Sequence, residues 1–325
     1  MTRTDMSALD LSELAAQLRQ LPGVTSKADI GLVAEVFGGG DWYAGPGDDG
    51  AVLPAGPGTL VVGGEAILPA FVVADPYAAG VAAVLTNVND LAAMGARPLA
   101  IVDTVVGPES TAREVLRGMR WASELYQVPV VGGHLTRTRG PGAAMAVSAF
   151  GIGRADRVLS ATHAAAGQAL VLGCCLQGGM REDFPFFPSF DERGALLAGD
   201  VRLLAELAAS GVAVAAKDVS MAGLVGSLAM LLEPGILGTC VDLGRLPIPD
   251  GVTLLDWLGC FPCYAFLLTT APGRVDDCVG AFRSRGLTAE QIGVLDPSGQ
   301  VRLAVDGRQV TVFDLRAESI TNLRG

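Results

Sequence analysis

Thr86-Asn87-Val88-Asn89-Asp90-Leu91-Ala92-Ala93-Met94-Gly95-Ala96 decides how the rest of the chain is read. Upstream of it, Asp75-Pro76 marks a helix start, because proline at the first helical position loses an N–H that would have no partner anyway. Val81, Val84, Leu85, Val88 and Leu91 recur at helix spacing, and Gly95 closes the helix. Asn87, Asn89 and Asp90 therefore ride on an otherwise apolar helix. Polar groups in such surroundings need partners. A local hydrogen bond satisfies each one singly; a shared ligand satisfies several together.

Outward from this helix, Thr59–Glu65, Leu99–Val106, Val128–Val131 and Ala143–Gly151 read as strands, and Ala112–Tyr126 as a helix. The order β-α-β-α-β-β predicts an α/β arrangement of ferredoxin-like character. Ahead of it come a helix carrying Leu11, Leu14, Leu18 and Leu21, a short helix near Ala28–Phe37, and a glycine-rich loop from Gly38 to Gly50. Arg154–Ala166 is poorly periodic and marks a boundary, giving domains 1–155 and 156–325. The second half repeats the α/β pattern. Its strands are Ala169–Leu172, Val212–Ala216 and Tyr264–Thr269, with helices near Glu192–Ala209, Met221–Leu232 and Arg274–Ser284. A hairpin turns at Asp306-Gly307. Leu176–Gly199, with Phe184, Phe186, Phe187 and Phe190, is expected to be a long loop, a lid or an interdomain arm.

Composition excludes several classes. The chain has 325 residues, 50% hydrophobic and 18% charged, which is unlike a disordered, collagen-like or coiled-coil protein. Net charge is −11 and no basic stripe exists, so no nucleic-acid partner is expected. The longest charge-free stretches are broken by polar residues and glycine, so no membrane span is expected. Met1-Thr2-Arg3-Thr4-Asp5 has no apolar signal region, and a cytoplasmic location follows. With only two histidines, His134 and His163, any metal is held mainly by oxygen. Cys260 and Cys263 form one CxxC without a second, which reads as small buried side chains before a strand. His163 reads as a surface or domain-junction residue.

Gly45-Pro46-Gly47-Asp48-Asp49-Gly50 matches G-x-G-x-x-G literally, but a strand follows where a dinucleotide fold needs a helix. Neither lysine, Lys27 or Lys217, lies in a phosphate-binding GxxxxGK[ST] loop. Adjacent carboxylates on a glycine loop instead suit Mg²⁺, which bridges to nucleotide phosphates. Further oxygen ligands stand at Glu65, Asn89 and Asp90. His134 follows Gly132-Gly133 at a strand end. Lys217-Asp218-Val219-Ser220 lies between a strand and a helix, where Asp218 and Ser220 could also serve simply as caps.

Taken in order, GDDGAVL, a strand with an acid, NVNDLAAMGARP, GGHLTRT and KDVSMAGLVGSL closely resemble the AIR-synthase-related (PurM-like) superfamily. Its members include aminoimidazole ribonucleotide synthase, thiamine-monophosphate kinase, selenophosphate synthetase and HypE. The resemblance implies a PurM-like two-domain fold, whose N-terminal ferredoxin-like domain pairs with that of a second copy to close a dimeric β-barrel. It also implies ATP and Mg²⁺ as cofactors and a small-molecule substrate. Carried over residue by residue, Asp48, Glu65, Asp90 and Asp218 match metal-binding positions. Gly47, Asp49, Asn89, Gly132, Gly133 and Ser220 fall to the nucleotide side, and His134 and Arg137 to the chemistry.

Several positions depart from the named members. Met221 replaces the second acid of DVSDG, and Gly259–Leu268 reads GCFPCYAFLL where thiamine-monophosphate kinases have GGEDYELL. The reactive cysteine of selenophosphate synthetase and the C-terminal cysteine of HypE are absent. The expectation is an ATP- and Mg²⁺-dependent phosphoryl-transfer enzyme on an unassigned small molecule. Alternatives are a thiamine-monophosphate-kinase-like activity and a non-catalytic nucleotide-binding or assembly protein of the same fold. A metal-dependent phosphatase is the weakest.

Overall fold

The computed structural model describes residues 8–38, 47–56, 58–140 and 142–323. The N-terminal segment read for a signal peptide, Gly39, Gly40 and Gly45 of the glycine-rich loop, and the last two residues lie outside the described residues. The chain opens with α1 (Leu11–Arg19), α2 (Pro22–Thr25) and α3 (Gly31–Phe37). Next come β1 (Ala51–Pro54), β2 (Thr59–Ile67), α4 (Pro69–Ala74), α5 (Pro76–Ala93), β3 (Arg97–Gly107), α6 (Glu109–Tyr126), β4 (Val130–Arg137) and β5 (Ala146–Ala155). Then follow β6 (Ala169–Cys174), β7 (Phe186–Phe187), α7 (Phe190–Arg193), α8 (Leu197–Asp200), α9 (Leu203–Ala209), β8 (Ala215–Asp218) and α10 (Gly223–Leu232). The chain closes with β9 (Gly238–Asp242), α11 (Leu254–Gly259), β10 (Phe261–Pro262), β11 (Ala265–Thr270), α12 (Val275–Arg283), β12 (Thr288–Asp296), β13 (Gln300–Val305) and β14 (Arg308–Asp314). Among the described residues no helix is long and apolar enough to cross a membrane.

Two compact units form. One comprises Asp49–Val158 with Gly194–Ala209; the other holds the segment ending at Asp48, Leu159–Arg193 and Ser210 onward. The first unit is built on a five-stranded sheet of order β1-β2-β5-β3-β4. Its odd-numbered β2 and β5 positions face α5: Val61, Ile67, Val147 and Ala149 are buried. Helices α5 and α6 press together through glycines. A Cβ on Gly80 would lie 2.0 Å from the Val115 carbonyl oxygen, and one on Gly118 would lie 2.0 Å from that of Tyr77, so only hydrogen fits at either place. The other face of the sheet exposes Leu53 and Phe150.

The second unit is built on a seven-stranded sheet of order β14-β13-β9-β12-β6-β11-β8. β6 and β11 are buried along their whole lengths, as central strands covered on both faces are. Cys260 and Cys263 are buried free thiols, the expected small interior residues, and His163 is exposed. The segment Leu176–Gly199 departs from expectation. It is not a structureless loop: β7 pairs in parallel with β10, and Phe187 is fully buried edge-on to Trp257 at 5.4 Å. Burial of large aromatic rings pins a stretch that lacks any hydrophobic period.

Candidate functional site

Asn87 and Asp90, three residues apart, share the side of α5 that meets β2 and β5. Gly151 lets the helix lie close, while Gly63 faces it at ordinary contact distance. A Cβ on Gly151 would approach Leu91 to 2.9 Å, and one on Gly63 would come within 3.8 Å of both Asn87 Oδ1 and the Asp90 Cβ. Asn87 is structural. Its Nδ2 donates to the Ala83 and Ala149 carbonyls at 2.9 and 3.2 Å, and its Oδ1 accepts from the Gly151 amide at 2.8 Å. Asp90 is buried, and a carboxylate oxygen of Asp49 lies within 4.8 Å of one of its own. Asn89 is buried one position before it.

The neighbouring acid, Asp48, is engaged elsewhere. Its Oδ2 accepts from the Ser160 hydroxyl at 2.6 Å and its Oδ1 from the Ala161 amide at 2.7 Å. Burial outweighs these hydrogen bonds and pushes its carboxyl up to about 6. Gly47, just ahead, has φ +93°, a conformation that excludes ordinary side chains.

At the end of β8, Lys217 Nζ donates to Asp218 Oδ1 at 2.7 Å, and both side chains are buried. A buried ion pair costs desolvation of both charges. The helix that follows does not use these residues as caps: the N-cap of α10 is Ala222 and no side chain caps it. The Ser220 amide donates to Ser227 Oγ at 3.2 Å.

The register of the first sheet sorts the remaining candidates by face. Glu65 pairs with Ala149, Ala149 with Asp103, and Asp103 with Gly133. This row faces the helices. His134 pairs with Thr104, so its exposed side chain lies on the opposite face from Glu65 and Asp90. Gly132-Gly133-His134 lies inside edge strand β4, not at a strand end, because β3 continues to Gly107 and gives β4 a long parallel partner. Glu65 likewise lies within β2, which runs on to Ile67. Arg137 Nη2 donates to Glu109 Oε2 at 2.6 Å in an exposed ion pair.

Asp103 escaped the sequence reading. Its signal was a single carboxylate inside Ala100-Ile101-Val102-Asp103-Thr104-Val105-Val106. Half-buried, it has its carboxyl pushed up by burial.

Asp49 and Asp90 fit a divalent cation: two hard oxygen donors, one of them buried, converge where their like charges would otherwise repel.

Comparison with known proteins places the chain. Residues 47–155 match the family model "AIR synthase related protein, N-terminal domain", and residues 188–306 match "AIR synthase related protein, C-terminal domain". "Uncharacterized protein sll0787" of Synechocystis sp. is 33% identical over 323 residues, 97% of this chain and 99% of that protein. The structure of T. maritima PurL complexed with FGAR aligns with TM-score 0.76 at 17% identity, covering 97% of this chain and 54% of that one. This chain thus spans about half the length of that PurL. AaThiL complexed with AMPPCP and TMP aligns with TM-score 0.66 at 18% identity, covering 87% of this chain and 95% of that one. At these identities the likeness is of fold: a mixed α/β, PurM-like two-domain protein.

Proposed function

The chain belongs to the AIR synthase related family, and from that membership we propose that it is an ATP- and Mg²⁺-dependent enzyme transferring a phosphoryl group to a small molecule. The observation that carries the reading is the approach of Asp49 to Asp90 within 4.8 Å. Superfamily members are ATP-dependent enzymes, and the AaThiL structure holds a nucleotide analogue.

Asp90 holds Mg²⁺, with Asp218 and Glu65 as further ligands by the order of the motifs. Of the two adjacent acids, Asp49 is the better ligand, since both oxygens of Asp48 already accept hydrogen bonds. Asp48 then anchors the loop from which Asp49 reaches out. When bound, Mg²⁺ neutralises phosphate charge. The chain's own residues position the rest. Gly47, Gly132 and Gly133 bring bare backbone to the nucleotide, with Asn89 and Ser220 as hydrogen-bonding support. Arg137 meets phosphate on leaving Glu109, and His134 serves the acceptor side or the partner copy.

We place the homodimer contact on the sheet face that exposes Leu53 and Phe150, where a second copy would close the barrel. Met221, half-buried in place of an acid, favours a second reading: a protein that binds nucleotide without turning it over.

Calorimetry with Mg²⁺ and AMPPCP tests the proposal. Binding that needs both Mg²⁺ and Asp90 is expected. Heatless titration of the intact protein would remove the nucleotide reading. Binding without any ATP consumption, in the presence of metabolite pools, would favour the second one.

A further inference from the structure

Asp103 stands in the helix-facing row of the first sheet between two bare positions, Ala149 on β5 and Gly133 on β4. Its carboxylate leans over Gly133: a Cβ there would lie 2.6 Å from Asp103 Cγ and Oδ1, and equally close to the Asp103 backbone oxygen. Gly133 is therefore required by the backbone and the side chain of Asp103 alike, and its bare Cα leaves the carboxylate uncovered above the edge strand. Positions along the same face carry Ile101 and Val105, both buried. Among the described residues the Asp103 carboxylate accepts no hydrogen bond and pairs with no cation.

The nearest candidate cation on β4, Arg137, is held by Glu109. Burial alone pushes the Asp103 carboxyl above its ordinary range. A half-buried carboxylate without a partner is costly, and such groups concentrate where a ligand supplies what the protein withholds. Glu65 occupies the same row two strands away.

We infer that Asp103 anchors the acceptor substrate through a cationic, ammonium-class group, with Gly133 keeping the space for that contact. This rests on the phosphoryl-transfer reading and assigns the acceptor a charge and a docking residue. Asp103 accepts charge-assisted hydrogen bonds from the acceptor and holds it beside the strand that carries Gly132 and Gly133.

The test uses the full chain with Mg²⁺ and AMPPCP, ethylammonium chloride as the probe, and n-propanol and equimolar sodium chloride as controls. Ethylammonium is expected to raise the unfolding temperature saturably in the wild type. In Asp103→Asn its half-saturation should be about tenfold weaker, with AMPPCP affinity unchanged. Should Asp103→Asn not fold, Asp103→Ser, which removes the carboxylate and keeps a small polar side chain, carries the same expectation. No saturable response in the wild type, an equal response to n-propanol, or an unaltered response in the variant overturns the inference. Failure of AMPPCP to bind the wild type strikes the phosphoryl-transfer reading instead, whatever ethylammonium does.

Discussion

Asp49 and Asp90 hold carboxylate oxygens within 4.8 Å of each other, one on the loop into β1 and the other buried on α5. Two like charges at this range repel, the more so where water is scarce. Replacing Asp90 by Asn removes one of them. Added Mg²⁺ should raise the unfolding temperature of the wild type and leave the variant unmoved, since only ligand binding to the folded state stabilises it. Thermal unfolding of both proteins with and without Mg²⁺ checks this; a wild type indifferent to Mg²⁺ would contradict the assignment.

Helix α5 was legible because its signals agreed: Pro76 at the start, the apolar spacing from Val81 to Leu91, and Gly95 at the end. Asn87 and Asp90 were equally visible as polar exceptions. The sequence could not say that one is a structural staple and the other part of an acid pair, since that depends on Gly151 and Gly63 lying beneath them. β12 was missed for a local reason. A bulge between Gln291 and Gly293 breaks the alternation, so its buried residues are Ala289, Ile292 and Leu295. Motif order groups His134 with the acids, but a strand sends successive side chains to opposite faces, and register alone decides which. Asp103 does not stand out in the sequence because its significance depends on Gly133, thirty positions later in the chain.

The α5–α6 contact makes a packing prediction. Gly118→Ala would put a methyl carbon 2.0 Å from the Tyr77 carbonyl oxygen, a backbone atom that cannot swing away. The helices must separate, at a cost of about 2–3 kcal/mol. Gly80→Ala meets Val115 at the same distance from the other side. Once one substitution has parted the helices, the second should cost less, so the double variant is expected to fall short of the sum. Urea unfolding of the two single variants and the double variant measures the shortfall.

Acid stability has a specific contributor in the second unit. Arg19 Nη1 and Nη2 donate to Glu318 Oε1 and Oε2, both at 2.7 Å. This bidentate pair holds the Glu318 carboxyl below its ordinary range. The folded protein thus releases this proton more readily than the unfolded chain. The stabilisation is complete above the ordinary glutamate value and is lost as pH falls through the lowered one. Solvent screens the pair, so its worth is at most about 1 kcal/mol. Glu318→Gln is expected to flatten the acid limb of the stability profile and leave the neutral region nearly unchanged. High salt should reduce the difference between the two proteins, which unfolding curves across the acid range will read.

The C-terminal segment hangs on one buried side chain. Glu233 accepts from Ser319 Oγ at 2.5 Å, the Ile320 amide at 2.7 Å, Thr321 Oγ1 at 2.8 Å and the Thr321 amide at 3.2 Å. Its charge is shared among donors from three consecutive residues, as at a helix N-terminus, though here the chain is irregular. Removing the carboxylate leaves buried amides without acceptors, at about 1–3 kcal/mol for each group stranded. Glu233→Ala is therefore expected to lose about 2–4 kcal/mol, with Glu233→Gln losing less because it keeps one acceptor oxygen. Local release should precede global unfolding, because few other side chains hold these amides. Hydrogen exchange at Ile320 and Thr321 distinguishes the cases: amides that stay protected in Glu233→Ala would show that the segment is held by its apolar contacts instead.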